Sequence, residues 1–438
     1  MQAVRADLVW LEGAFEQGRA VVIDGDRIHS VAELDRIPEG TRIEDWGPVA
    51  IIPGPVNAHG HSFQSLFKGM GDDRDFASWR DDVLYPFSTL LSASDVYAGA
   101  LFAFSEALLA GTTTTVDFFY LHDGDNEVSQ SVFRAARDTG IRLVFGRTFY
   151  DLDAPTGAPA RYRERAEDAA ARTRVLAAEF SDDSLISVQP APHSLHAASP
   201  ETIALALETA TELDAPCHLH LAEASYEVEQ VRQRYGATPV RLLAREGLLD
   251  SRLVTVHTVW VDDEELDLVA GARAGVVHCP GANAFLGDGV ARVPEMLRRG
   301  IRVGLGPDGG CANNHQSVFD EMRTATLVAK ARLGDGSALD APTAFRLGTA
   351  GGADLLGLEA GRLKPGAFAD LVALDLDDLS LQPLATLDRQ VVHSMQQTAI
   401  ARVMVGGETV VDGGRLVRVG MDEVRQRVAE TTRGWTRP

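Results

Sequence analysis

The sequence predicts an α/β fold: a (β/α)8 TIM barrel with a small β-sandwich domain built from both chain ends. Three observations lead there. Eight short apolar runs alternate with longer helical patterns through the middle of the chain, which implies parallel strands joined by crossover helices. Both ends hold short strand-like runs broken by glycine turns. Ten of the twelve histidines fall between positions 59 and 315, and many stand where an apolar run ends.

The chain has 438 residues, 45% hydrophobic and 24% charged, enough for one large domain and a smaller companion. The expected boundaries are 1–53 for the first part of the sandwich and 54–357 for the barrel. Residues 358–438 supply the second part and a C-terminal helix. At the start, "LVWLEG" and "AVVIDGDRIHSVAEL" read as strands joined by turns. The barrel strands read as "AIIPGPVNAHGH", "TTTTVDFFY", "IRLVFGRT", "SLISVQPAPH", "APCHLHLAE", "RLVTVHTVW", "AGVVHCPGAN" and "IRVGLGPDGG". Helical segments such as "NEVSQSVFRAARDTG" lie between them and several end in Gly, as a helix C-terminus should. Near the end, Gly406-Gly407 and Asp412-Gly413-Gly414 sit between alternating apolar runs, a strong hairpin signal. The tail "MDEVRQRVAETTRGW" reads as a surface helix.

The net charge of -22 repels a nucleic acid backbone, and no basic stripe offsets it. No apolar run has the length of a membrane span, and no signal peptide is read at the start. Cys217, Cys279 and Cys311 are an odd set without CxxC spacing. Together these fit a cytoplasmic protein with a small-molecule partner and no membrane or nucleic acid partner.

The polar residues at the strand ends carry the chemistry. Strand one gives His59 and His61, strand two leads to Tyr120 and His122, and strand four to His193 and His196. Strand five gives His218, His220 and Glu223, strand six His257, strand seven His278, and strand eight Asp308. In a barrel these ends converge on one face, where catalytic sites sit. Residues i and i+2 of a strand share a side, so His59 and His61 can grip one metal ion. His220 and Asp308 would complete a nitrogen-rich site with room for water, suited to zinc and also to iron.

The motifs "NAHGH", "HLHLAE", "VTVHTVW", "VVHCPGAN" and "GLGPDGG", with "GRLKPGAFADLVALD" near the end, resemble those of the amidohydrolase superfamily. The likeness is to its mononuclear deaminase branch, which includes methylthioadenosine/S-adenosylhomocysteine deaminases, triazine hydrolases and formimidoylglutamate deiminase. The resemblance implies His59, His61, His220 and Asp308 as ligands of one divalent metal, most simply Zn2+, with Fe2+ as the other choice. It implies Glu223 as a proton shuttle, His257 beside the attacking water, and His193 against the substrate. Two-metal relatives commonly bridge their ions with a strand-four lysine. Here strand four has none, and Lys68, Lys330 and Lys364 stand elsewhere, so one metal is expected. Because the ligand precedes the glutamate by three residues, His220 is favoured over His218, which packs deeper. His278 reads as structural, and His29 and His393 as bland.

The implied reaction is hydrolysis of an amidine-like C–N group to a carbonyl with release of ammonia, using a metal-activated water. The implied substrate is a small metabolite, foremost an N-heterocycle. The deiminase-like segments match Gln64, Arg80 and Tyr120 to substrate-holding residues, but His196 stands where that relative has a carboxylate-gripping arginine. A formimidoyl-amino-acid deiminase is therefore the alternative, a triazine hydrolase a third, and a noncatalytic scaffold of the same fold a fourth. Relatives of this kind are often homodimers.

Overall fold

The computed structural model describes residues 1–11, 13–153 and 157–438. Its centre is an alternation of eight parallel strands and helices: β1 (Val56–Asn57), β2 (Thr114–Phe119), β3 (Arg142–Phe149), β4 (Ile186–Pro192), β5 (Cys217–Leu221), β6 (Leu253–His257), β7 (Gly275–His278) and β8 (Arg302–Leu305). β2 to β7 are buried almost throughout, which is why they read as near-continuous apolar runs rather than alternating ones. Two four-stranded sheets result, one ordered β4-β3-β2-β1 and the other β5-β6-β7-β8. Hydrogen bonds cross both seams. The His220 N–H donates to His193 O at 3.0 Å, and the Ala58 N–H to Leu305 O at 2.9 Å.

The crossover helices have local reasons to start and stop. Ala93–Leu109 opens with a reciprocal Ser92/Asp95 capping box, and Asp263–Ala272 with an Asp262/Glu265 box. Glu127–Thr139 ends at Gly140, whose φ of 81° only glycine adopts freely.

The chain ends meet in two further sheets. One has four strands: Arg27–Glu33, Arg19–Asp24, Gln2–Arg5 and Arg42–Asp45. The other has seven and joins Val49–Pro53 from the start to Leu371–Asp375 from the end, antiparallel. An apolar cluster including Val4, Val21, Ile23, Ile51, Leu371 and Met404 draws on both. The hairpins at Gly406-Gly407 and Gly413-Gly414 form as the sequence predicts, and all four glycines have positive φ. The tail helix runs Met421–Thr431.

One expected strand is split. "AIIPGPVNAHGH" breaks at Pro53-Gly54-Pro55: Val49–Pro53 joins the seven-stranded sheet, and only Val56–Asn57 opens the parallel set. Two prolines remove two donors from the ladder and force the change of direction. "IRVGLGPDGG" divides likewise, with Asp308–Gly309 pairing Gly60–His61 beyond the end of β8. No helix among the described residues is long and apolar enough to cross a membrane.

A buried ion pair ties the parallel strands to the end sheets. Arg142, at the start of β3, donates through Nε and Nη2 to both carboxylate oxygens of Asp370 at 2.8 and 2.9 Å. Its guanidinium stacks 3.4 Å above the Phe368 ring centre, and Asp370 also accepts the Gly406 N–H. Removing one partner leaves the other charge buried alone. Asp370→Ala is expected to cost about 3–5 kcal/mol of stability, read as a lower denaturation midpoint at unchanged slope.

Candidate metal centre and active site

The loop after β1 is held before any ligand is considered. The Asn57 side chain accepts the His59 N–H at 2.9 Å and donates to Thr115 Oγ1 at 3.0 Å. Asp117 on β2 accepts both the N–H and the hydroxyl of Ser62 at 2.9 and 2.5 Å. Burial pushes the Asp117 carboxyl up to about 6. The opposite wall comes so close that side chains are excluded. A Cβ on Gly306 would stand 2.6 Å from His59 O, and one on Gly309 would stand 1.7 Å from Gln64 Oε1. The glycines of "GLGPDGG" therefore let this segment lie against the His59–Gln64 loop. Ala222, His257, Thr258 and Asp308 all have φ between 48° and 70°, a costly conformation concentrated at these strand ends.

Four predicted ligands converge. His59 Nε2 lies 3.1 Å from His220 Nε2 and 3.3 Å from Asp308 Oδ1, which is also 3.4 Å from His61 Nε2. The His61 Nδ1–H donates to Phe118 O at 2.6 Å and the His220 Nδ1–H to His193 O at 2.8 Å. Each ring thus has its Nε2 lone pair turned inward. Burial holds the imidazoles of His59 and His61 well below their ordinary pKa, and that of His220 below it, which favours the neutral rings. A lone pair from His61 then faces a carboxylate oxygen with no proton between them. That arrangement is repulsive by itself and fits a cation shared by all four groups. His59, His61 and His220 offer ligand atoms within 4.8 Å of one another, as do His59, His257 and Asp308.

The remaining expected residues surround this centre. His257 Nε2 is 3.4 Å from Glu223 Oε1 and 3.9 Å from Asp308 Oδ2. Asn283 Nδ2 donates to His257 Nδ1 at 3.1 Å, so the neutral ring carries its proton on Nε2, toward the carboxylates. Burial, reinforced by the carboxylates of Asp288, Asp308 and Glu227, holds the Glu223 carboxyl well above its usual range. Above them opens a pocket lined by His61, Gln64, Arg80, Tyr120, His193, His196, His220, Glu223, His257 and Asp308. His59 lies beneath, fully buried. The structure thus gathers every sequence-predicted site residue in one place. His218 is set deeper, its Nε2 donating to Gln189 Oε1 at 2.6 Å. His122 and His278 are buried away from the pocket wall, and His29 and His315 are exposed.

Sequence reasoning missed the aromatic lining: Phe76, Trp79, Tyr85, Tyr150 and Tyr162, with Leu84. Tyr150 follows β3 directly, so the strand-end rule that found the histidines could have found it. Tyr162 ends a short 3-10 turn, Ala160–Tyr162, that carries no such signal. Asn283 and Glu227, behind the first layer, were missed because each looks like an ordinary helix residue.

The sequence matches the amidohydrolase family over residues 50–410. The chain belongs to that family. A 5-methylthioadenosine/S-adenosylhomocysteine deaminase from Syntrophobacter fumaroxidans is 33% identical to it over 98% of both chains. A 5'-deoxyadenosine deaminase from Methanothermobacter thermautotrophicus is 32% identical, covering 92% of this chain and 91% of the relative. The crystal structure of a Xanthomonas campestris adenosine deaminase with bound zinc superposes with a TM-score of 0.90 at 28% identity. It covers 98% of this chain and 97% of that one.

A cation binding four buried groups stabilises only the folded state. Metal-loaded protein is expected to melt a few degrees above chelator-treated protein. The double variant His59→Ala/His61→Ala should lose that metal-dependent difference in calorimetry.

Proposed function

We propose that this amidohydrolase is a metal-dependent aminohydrolase that converts the amidine-like C–NH2 of a 6-aminopurine nucleoside to a carbonyl and releases ammonia. The observation that carries this reading is Glu223. Its carboxyl is buried and held well above the usual carboxylate range beside the His257 N–H and the four-group cluster, at the base of an aromatic pocket.

The same reading covers the architecture. The hydrogen-bonded seams support closure of the eight strands into one (β/α)8 barrel over residues 54–357. The apolar cluster between the end sheets supports a β-sandwich from 1–53 and 358–438. His59, His61, His220 and Asp308 would hold one zinc ion. When bound, the metal supplies the Lewis acidity that lets water attack near neutral pH.

The protein's own groups do the rest. Asp308, through Oδ2, takes a proton from the attacking water. His257 presents Nε2–H to the developing oxyanion, a preorganised donor in a buried site. Glu223 gives its proton to the ring nitrogen as the water adds. The resulting carboxylate then takes the proton of the new C–OH and passes it to the amine, which leaves as ammonia as the carbonyl forms. The proton held on Asp308 returns to Glu223. Tyr120, Tyr85, Phe76 and Trp79 offer apolar and π surfaces to a flat heterocycle. Gln64, bonded to the Tyr120 hydroxyl at 2.7 Å, and His193 offer polar edges.

The formimidoyl-amino-acid alternative needs a free cation for a carboxylate. Arg80 lines the pocket, yet its Nε and Nη2 are engaged by Asp81 at 2.8 and 3.1 Å. His196 faces Glu227. The guanidinium of Arg80 is therefore already matched to a carboxylate, which favours a neutral substrate.

The test is ammonia release by metal-loaded protein from adenosine-type nucleosides and from formimino-amino acids. Release from the nucleosides, lowered about 10²–10⁴-fold in Glu223→Gln at unchanged metal content, is expected. Release confined to formimino-amino acids would transfer the assignment to the deiminase reading. Equal rates in Glu223→Gln would remove the proton carrier from the account.

A further inference from the structure

Glu227 is the third residue of the helix Ser225–Tyr235 and is 1% exposed. Its two carboxylate oxygens face different partners. Oε2 accepts the backbone N–H of Glu223 at 2.9 Å. Oε1 has no hydrogen-bond partner and lies 3.8 Å from His196 Nδ1, which has none either. His196 is 8% exposed and forms part of the pocket wall. Two buried polar atoms thus face each other across a gap too long for a hydrogen bond, although leaving either unsatisfied is costly.

The two ends of this contact belong to different parts of the site. Glu223 follows Ala222, whose φ of 50° puts the chain in a strained turn just before it. A strained backbone keeps its position only where its surroundings over-determine it, and the Glu227 carboxylate supplies one such restraint. His196 comes from the loop after β4. A carboxylate facing Nδ1 favours the proton on that nitrogen and leaves Nε2 as the acceptor edge of the ring.

We propose that Glu227 is a positioning residue that couples ligand recognition by His196 to the placement of Glu223. The inference rests on the aminohydrolase reading above. In it, His196 Nε2 accepts a hydrogen bond from a hydroxyl of the ligand, remote from the amidine. Drawing the ring into that bond closes Nδ1–H onto Glu227 Oε1, and the carboxylate then holds the Glu223 N–H more firmly. The ligand class is a heterocycle carrying a sugar-like hydroxyl.

Two variants separate the functions. Glu227→Ala removes both contacts, whereas Glu227→Gln keeps an oxygen for the Glu223 N–H and removes the charge facing His196. With adenosine and its 2',3'-dideoxy analogue as probes, Glu227→Ala should lose about tenfold or more in kcat at unchanged metal content. Glu227→Gln should restore most of that kcat. Its KM for adenosine should rise about fivefold to tenfold, while its KM for the dideoxy compound stays at the parent value. A folded Glu227→Ala protein with parental kcat and KM would overturn the proposal. So would a Glu227→Gln protein whose KM shifts equally, or not at all, for the two probes; this second comparison decides the matter if Glu227→Ala does not fold. Calorimetric binding of the same pair to metal-loaded Glu223→Gln reads the hydroxyl contact without turnover. Tighter binding of adenosine there, combined with no ammonia release by the parent, would sink the aminohydrolase reading and leave the His196 contact standing.

Discussion

The structure is organised around one electrostatic constraint. Three buried imidazoles and a carboxylate turn their ligand atoms into the same few ångströms. His61 and His220 spend their ring protons outward on the carbonyls of Phe118 and His193, so each turns an Nε2 lone pair toward Asp308 and His59. Such a cluster suits a cation. Much else follows from the need to assemble it. Asn57 and Asp117 pin the loop of His59 and His61. Glycines 306 and 309 let the Asp308 segment lie against that loop. His257 and Asp308 accept left-handed backbone conformations to point inward.

Charge also explains the division of labour among the carboxylates. Asp308 shares the ligand cluster. Glu223, one step removed, is desolvated and surrounded by like charges, which push its carboxyl well above the usual range. In the proposed reaction these two acids, a short distance apart, would divide into a ligand and a donor, a pattern typical of sites that move protons at neutral pH. His257 stands between them with its tautomer set by Asn283, so its N–H is aimed before any substrate arrives.

Much of this was legible in the sequence, for physical reasons. A histidine is expensive to bury, so His59, His61, His220 and His257 at the ends of apolar runs demanded a purpose. The alternation of buried strands and helices then placed those ends together. What escaped lay where local pattern carries no sign of tertiary geometry. The run "AIIPGPVNAHGH" looks continuous, and only the paired prolines hint that it serves two sheets. Trp79, Tyr85 and Tyr162 were not singled out, because apolar side chains look the same whether they fill a core or line a pocket. Glu227 and Asn283 sit on helices among similar polar residues. Their importance comes from what they reach, the Glu223 N–H and the His257 ring, which are neighbours only in the fold.

The central claim is that these four side chains form one metal site. X-ray absorption spectroscopy at the zinc edge, on protein reconstituted with one equivalent of zinc, tests it directly. The account predicts a nitrogen- and oxygen-rich shell dominated by imidazole scattering, with no sulfur and no second metal at short range. A shell containing sulfur, a metal–metal vector, or a first shell without imidazole would contradict it.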